Sequence, residues 1–195
     1  METNSSQPRV ALVTGGSRGI GAAIVRRLAR EKIAVAFTYS SSPEKAVTLA
    51  AEIESGGGRA LAFKANSANA TEVRDAIAKT IKAFGRLDIL VNNAGILLRG
   101  TLDTFSLEDF DRMVAVNVRP VFVGVQTASG HMEEGGRIIV IGSVTADRSG
   151  FPGSSLRILG KLSAMVHKLP DQVCYPVVRE NGTSPRSRAG SLRPP

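Results

Sequence analysis

Three glycines in one short stretch of this sequence are spaced as in a loop that binds phosphate groups. Gly15, Gly19 and Gly21 follow an apolar run at 10–13 and open an amphipathic run at 20–30, which predicts a strand, a turn and a helix. Gly15 permits a tight turn, Gly19 lets the main chain approach a ligand, and Gly21 lets the helix pack on the strand. The helix start would then offer N–H groups and a positive dipole to phosphates. The pattern predicts a dinucleotide-binding turn, and a glycine turn without a ligand is the alternative.

The elements that must position this turn alternate regularly along the chain. The predicted strands are 10–13, 34–38, 60–63, 87–91 and 137–141, and the predicted helices are 20–30, 43–54, 71–84 and one from 107 past Asn117. This alternation predicts right-handed βαβ units, and therefore an α/β Rossmann-type, doubly wound parallel sheet of five strands in the order 3-2-1-4-5. Ser41 or Ser42 is expected to cap the second helix and Ser106 the fourth, which Pro120 should bend.

Three polar stretches follow predicted strands and should therefore lie together. The glycine turn follows the first strand, the segment 92–95 follows the fourth, and Ser143 follows the fifth. Parallel sheets of this kind bind ligands at the carboxyl ends of their strands. We therefore expect all three stretches at one edge of the sheet.

Bulk composition predicts a globular domain and excludes several classes of protein. The 195 residues are 43% hydrophobic and 22% charged, and no run approaches the roughly 18 apolar residues of a membrane span. The polar segment 1–8 lacks the apolar core of a signal peptide. One cysteine, Cys174, cannot form an internal disulfide, which suits a cytoplasmic protein. With only two histidines besides, we expect no metal site.

Regular alternation is lost near Gly153. A helix is plausible from 155 to 169, whereas 181–195 is rich in Gly, Ser, Pro and Arg and should be disordered. We therefore expect a nucleotide-binding domain over 1–169, incomplete at its C-terminal end, and an irregular basic tail over 170–195. Without a sixth strand, the edge of the fifth would be unpaired or covered by irregular structure.

The net charge of +8 lies largely in the last part of the chain. Residues 151–195 hold seven Lys/Arg and two Asp/Glu. A basic tail can bind nucleic acid or an anionic membrane, but this one has neither interleaved aromatics nor a recognisable motif. We expect a solvated tail with no nucleic-acid or membrane partner.

The glycine turn at 14–21, the segment 92–95, Asn117 and Ser143 together resemble the classical short-chain dehydrogenase/reductase family. The resemblance covers about 8–156, and four motifs occur in the family's order. Within the family, the chain is similar to the acyl-carrier-protein reductase type and to the cyclic-di-GMP-binding biofilm-dispersal member. The resemblance implies an NADP-dependent oxidoreductase that transfers hydride between the cofactor and a small carbonyl or alcohol. Family members are usually homo-oligomers, and the oligomeric state of this chain is left open.

The same resemblance implies catalytic roles for three residues. In the family, a serine orients the carbonyl, an asparagine helps to hold a proton-relay water, and a lysine lowers the pKa of a tyrosine general acid. Ser143, Asn117 and Lys161 match these positions, but Arg157 stands where the family has the tyrosine. Arginine is permanently protonated and cannot act as that acid. We expect impaired reduction; the alternatives are a nucleotide-binding or regulatory protein without turnover and a non-functional truncated product.

The final strands and helices of the family are not recognisable after Arg157. Such a change of sequence character is what a shifted reading frame or a damaged gene would produce. Lys161, without its tyrosine, also fits an ordinary solvated helix lysine. Resequencing of the locus tests the frame hypothesis.

The residues that would surround the adenosine ribose favour NADP(H) over NAD(H). An acid at the end of the second strand would bind a free 2′-hydroxyl and repel a phosphate, but 38–41 holds no acid. Arg18 in the glycine turn is placed to meet a 2′-phosphate. The expected cofactor contacts are Gly15, Ser17, Arg18, Gly19, Ile20, Gly21, Tyr39, Ser40, Ser41, Asn66, Ser67, Asn93, Ala94 and Gly95.

Overall fold

A computed structural model describes residues 7–98, 100 and 103–142, and the main chain of a short strand at 174–176. Within this part of the chain, helices cover both faces of one sheet. The strands are β1 Val10–Val13, β2 Ala34–Tyr39, β3 Ala60–Lys64, β4 Ile89–Asn92, β5 Arg137–Val140 and β6 Cys174–Pro176. The helices are α1 Gly19–Arg30, α2 Pro43–Ser55, α3 Ala70–Phe84, α4 Leu107–Asn117 and α5 Arg119–Ser129.

The first five strands are parallel and lie in the order β3-β2-β1-β4-β5. This confirms the predicted α/β Rossmann-type sheet. Val13, the last residue of β1, pairs with Phe37 of β2 on one side and Val91 of β4 on the other. The carboxyl ends of these three strands are therefore adjacent, and the segments that follow them meet.

A sixth strand was not predicted. β6 is antiparallel to β5, with Ile138 opposite Tyr175 and Ile139 opposite Cys174. It lies in the segment 170–195 that was expected to be irregular, and it covers the edge of β5 that was expected to lack a regular partner. Three residues ending in Pro176 are too few to give an alternating pattern, and proline is usual only at strand edges.

The core lies on both faces of the sheet because successive strand residues point to opposite sides. Val13 and Val35 belong to the layer that packs on α1 and α2. Leu12 and Leu90 belong to the layer that packs on α3 and α5, where Ile77 is fully buried. Burial of these apolar side chains on both faces holds the strand ends in fixed positions.

Polar side chains define where two of the helices begin. Asn69 caps α3 by accepting hydrogen bonds from the N–H groups of Thr71 and Glu72. Ser106 caps α4, as predicted, by accepting from the N–H of Asp109 at 3.1 Å. Ser42 is the N-cap residue of α2, but its side chain makes no capping hydrogen bond.

The long helix predicted after Ser106 is divided into α4 and α5 at Val118. The N–H of Val121 donates to the carbonyl of Val118 at 3.1 Å, a tighter pairing than in a regular α-helix. Pro120, which has no N–H to donate, lies in the first turn of α5. Pro120 was expected to bend one long helix, whereas the structure ends α4 at Asn117 and begins a separate helix, α5, at Arg119.

Candidate functional site

The glycine turn between β1 and α1 has the backbone geometry that its residues predict. Gly15 and Gly19 have φ angles of +65° and +54°, in the left-handed region that favours glycine. An added Cβ at Gly21 would overlap the carbonyl oxygen of Gly15 and lie 2.6 Å from Asn93 Nδ2. An added Cβ at Gly19 would meet no heavy atom within 4 Å. The turn is therefore packed tightly at Gly21 and open to a ligand at Gly19.

Gly16 is a further constrained position that the sequence interpretation did not single out. An added Cβ there would lie 2.5 Å from the Cβ of Phe37 and 3.0 Å from Cγ2 of Val25. Any larger residue would push the turn away from β2 and α1. The doubled glycine at 15–16 was the available signal, but its reason depends on the register of β1 and β2.

Thr14 and Asn93 join the glycine turn to the segment that follows β4. Thr14 Oγ1 accepts hydrogen bonds from the N–H groups of Asn93 and Ala94, both at 3.0 Å. The Asn93 amide donates in return to the carbonyls of Thr14 and Gly15, at 2.9 and 3.1 Å. These four hydrogen bonds are neutral, and they hold the two segments together as expected from their positions at one edge.

Thr38 joins the same turn to the end of β2. The N–H of Gly15 donates to Thr38 Oγ1 at 3.0 Å, and the N–H of Gly16 donates to the Thr38 carbonyl at 2.8 Å. The turn is thus held from both neighbouring strands, and it cannot shift without breaking bonds on one side.

The start of α1 is suited to an anion. Arg18, the residue before the helix, is extended and makes no side-chain capping bond, and the first turn contains no acidic residue. The first N–H groups of α1 therefore have no acceptor within the helix. They lie at the positive end of the helix dipole. Arg18 is exposed, and Ile20 is 65% exposed. This open, positive turn fits the diphosphate of a dinucleotide.

The residues expected around the ribose and the adenine lie at the same carboxyl edge. Tyr39 is half-buried at the end of β2, and Ser40 and Ser41 that follow it are exposed. Asn66 and Ser67 follow β3, and Asn66 Oδ1 accepts a hydrogen bond from the N–H of Ala68 at 3.0 Å. The acceptor of Asn66 is therefore used within its own loop, whereas the serine hydroxyls after β2 lie in the accessible part of the edge.

Asn117 contacts the segment that follows β4 with its whole side-chain amide. Oδ1 accepts from the N–H of Ile96 at 2.9 Å, and Nδ2 donates to the carbonyl of Ile96 at 3.0 Å. The Asn117 amide therefore joins α4 to the segment that follows β4 through both main-chain groups of Ile96.

The other catalytic candidates lie outside the described residues. Ser143, Arg157 and Lys161 fall in the segment 143–173, and the described residues that follow β5 end at Gly142. The N–H of Ile141 donates to the carbonyl of Asn92 at 2.8 Å. Pairing of β4 and β5 thus brings the chain to the carboxyl edge immediately before Ser143.

An ionic tie, which the sequence interpretation missed, lies at the opposite edge of the sheet. The Asp88 carboxylate accepts from the N–H of Val10 at 2.8 Å and pairs with Arg86, with a shortest nitrogen–oxygen distance of 2.6 Å. Hydrogen bonds to this carboxylate raise the pKa of the Arg86 guanidinium. Its only sequence signal was a pair of opposite charges two residues apart.

The described part of the chain has neither a metal-binding cluster nor a membrane-spanning helix. No group of three or more histidine, cysteine, aspartate or glutamate side chains there is arranged to hold a metal ion. None of its helices is long and apolar enough to cross a bilayer.

Comparison with known proteins agrees with this geometry. Residues 9–156 match the short chain dehydrogenase family. An uncharacterized oxidoreductase from Methylorubrum extorquens is 37% identical over 179 residues, which are 91% of this chain and 72% of that protein. Elsinochrome reductase 1 from Elsinoe fawcettii is 38% identical over 78% of this chain and 57% of its own length.

Solved structures show the same similarity. A short-chain dehydrogenase/reductase from Serratia marcescens matches with a TM-score of 0.78 and 52% identity, over 83% of this chain and 65% of that chain. A short chain dehydrogenase from Burkholderia cenocepacia in complex with NADP has the same TM-score and 49% identity, over 83% of this chain and 66% of its own. This chain thus spans less than two thirds of both solved relatives. It belongs to the short-chain dehydrogenase/reductase family of oxidoreductases.

Proposed function

We propose that this chain binds NADP(H) at the carboxyl edge of its sheet, in preference to NAD(H), and reduces carbonyls only weakly. The observation that carries the binding proposal is the open start of α1, where exposed Arg18 stands next to a glycine turn bonded to β2. The end of β2 carries Tyr39 and serines but no acid. A positive, acid-free edge attracts a ribose 2′-phosphate and gives no special partner to a free 2′-hydroxyl.

The described residues divide the cofactor between them. The N–H groups from Ser17 to Ile20 would hold the diphosphate, and Arg18 with Ser40 and Ser41 would hold the 2′-phosphate. Asn66 and Ser67 would border the adenine, and the segment 93–95 would border the nicotinamide ribose. When bound, the reduced cofactor supplies a hydride. Two solved relatives support the choice of NADP(H) as the cofactor: one is in complex with NADP, and one, a blue fluorescent protein from a metagenomic library, is in complex with NADPH.

The substrate side of the proposal is a small carbonyl or alcohol. Curated relatives with reductase names, such as elsinochrome reductase 1, support this class. Asn117 holds Ile96 at both main-chain groups and so fixes the segment beside the cofactor. Ser143 would orient the carbonyl, and Lys161 would hold the nicotinamide ribose.

Turnover should be weak because no tyrosine stands at the general-acid position. General acid catalysis typically contributes about 10²–10⁴-fold to a rate, and the permanently protonated Arg157 cannot supply it. The same substitution favours a second candidate function, a nucleotide-binding protein without turnover. Both candidates share the cofactor site and differ only in the chemical step.

Fluorescence titration with NADPH and NADH tests the binding half of this proposal. We expect saturable binding of NADPH, tighter than that of NADH, by a sample whose circular dichroism shows a folded α/β protein. Failure of such a sample to bind either cofactor would refute the proposal.

Absorbance-monitored oxidation of NADPH with a panel of ketones tests the catalytic half. We expect little turnover by the chain and by Arg157→Tyr alone. A chimera that carries the C-terminal part of the Serratia relative after residue 156 should be faster by about 10²–10⁴-fold. Robust turnover by the unmodified chain would contradict the loss of the general acid.

A further inference from the structure

Thr38 holds two consecutive N–H groups of the glycine turn. It is the next-to-last residue of β2 and is 3% exposed. Its hydroxyl oxygen accepts from Gly15 and its carbonyl oxygen accepts from Gly16, at 3.0 and 2.8 Å. Neither N–H is therefore available to a ligand.

The N–H groups that remain for a phosphate begin after Gly16. Ser17 is half-buried, and Arg18 and Gly19 are exposed. Since a phosphate is held by several N–H groups in series, the bonds to Thr38 determine which groups of the turn can face it.

Gly15 needs this restraint more than most residues do. It has a φ of +65° and no side chain, so many other backbone conformations are open to it. Asn93 holds its carbonyl at 3.1 Å from the side of β4, and Thr38 holds its N–H from the side of β2. With both groups bonded, the peptide planes on either side of Gly15 are fixed.

We infer that Thr38 is a positioning residue for the cofactor diphosphate, an inference that rests on the proposed cofactor binding at this turn. Its hydroxyl directs the N–H of Gly15 away from the ligand and thereby aims the following N–H groups toward it. Both nicotinamide cofactors carry the same diphosphate. Thr38 therefore governs affinity for both of them, whereas Arg18 governs the choice between them.

The test compares Thr38→Val, which has the same shape without the hydroxyl, with Thr38→Ser, which keeps the hydroxyl. Thr80→Val is the matched control, because Thr80 is fully buried and donates to the Ala76 carbonyl at 2.7 Å within α3. Dissociation constants for NADPH and NADH are measured by fluorescence titration at a temperature where circular dichroism shows every variant folded.

We expect Thr38→Val to weaken the binding of NADPH and of NADH by about tenfold each, because the N–H of Gly15 is left without its acceptor. The ratio of the two dissociation constants should be unchanged. Thr38→Ser should restore the parent affinities, and Thr80→Val should keep them even if its melting temperature falls. Parent-like binding by Thr38→Val, or failure of the serine to restore affinity, overturns the inference alone. Absence of binding by the folded parent chain overturns the proposed function and this inference with it.

Discussion

β4 is tied to β1 at both of its ends, but by different chemistry. At the amino end, the Asp88 carboxylate bonds the N–H of Val10 and pairs with Arg86. At the carboxyl end, the hydroxyl of Thr14 and the amide of Asn93 make neutral hydrogen bonds. A carboxylate at the carboxyl end of β4 would repel the phosphates of a bound cofactor. The Asp88 carboxylate lies instead at the amino end, away from the proposed phosphate site. The difference separates a stabilising edge from a binding edge.

Gly21→Ala should have the largest effect, because it breaks the binding edge. Its Cβ would overlap the carbonyl of Gly15 and displace the Asn93 amide, 2.6 Å away. Overpacking of this kind costs about 3 kcal/mol, which corresponds to about a 100-fold loss of NADPH affinity if the turn carries the cost. Titration of the folded variant checks this expectation.

Gly57→Ala provides the matched control. Unlike Gly21, Gly57 has a positive φ, +77°, and an added Cβ there would meet nothing within 4 Å. It should lose about 1 kcal/mol of stability through backbone strain and keep its affinity. Equal affinities in the two alanine variants would refute the packing argument.

Arg18→Gln should have the next largest effect, and on one cofactor only. The loss of a charged hydrogen bond to the 2′-phosphate should weaken NADPH binding by about tenfold and leave NADH binding unchanged. Arg27→Gln within α1 is the control, because Arg27 is exposed and pairs with Glu31 at 2.8 Å. A parallel loss for both cofactors would mean that Arg18 acts on the diphosphate instead.

Asp88→Asn should change stability without changing binding. Loss of the ion pair and weakening of the Val10 bond should cost about 2 kcal/mol, less than for a fully buried pair, since the Arg86 side chain is 28% exposed. Denaturant unfolding measures the cost. A shifted dissociation constant for NADPH would show that the two edges are coupled.

The pair also predicts how this stability varies with pH. The hydrogen bonds to Asp88 raise the pKa of Arg86 in the folded protein. The pair therefore stabilises the fold fully below the pKa of an unfolded arginine, and this stability is lost only as the pH rises through the pKa of folded Arg86. The difference between parent and Asp88→Asn should therefore stay constant between about pH 6 and 9.

Glu52→Gln should have the smallest effect. Arg26 pairs with Glu52 at 2.7 Å between α1 and α2, with side chains that are 41% and 49% exposed. The hydrogen bond from Arg26 lowers the pKa of Glu52. The stability that the Arg26–Glu52 pair contributes is therefore present above the pKa of an unfolded glutamate, about 4.3, and is lost as the pH falls below that value. A small difference in melting temperature at pH 7 should disappear near pH 3.

The sequence was sufficient for the sheet and for the outline of the binding edge. Apolar runs such as 10–13 and regular alternation predict a parallel α/β sheet, and glycines that need positive φ or close packing predict the turn. Each of these signals is local, because it lies within a short stretch of the chain. Because parallel strands present their carboxyl ends at one edge, the same alternation indicated where the segments following the strands should converge.

Contacts between distant residues could not be predicted. The restraint on Gly16 comes from Phe37, and the partner of Gly15 is Thr38; both depend on the register of β1 and β2. Asp88 would ordinarily be solvated, and only the fold brings it to Val10. β6 was missed because three residues with a proline carry little strand signal.

Hydrogen–deuterium exchange with and without saturating NADPH tests the central claim most directly. The account predicts protection in peptides covering 14–21, 38–41 and 93–98 at the carboxyl edge, and unchanged exchange in a peptide covering 86–88 at the amino edge. Protection centred on 86–88, or no protection of 14–21 in a folded sample at saturating NADPH, would contradict it.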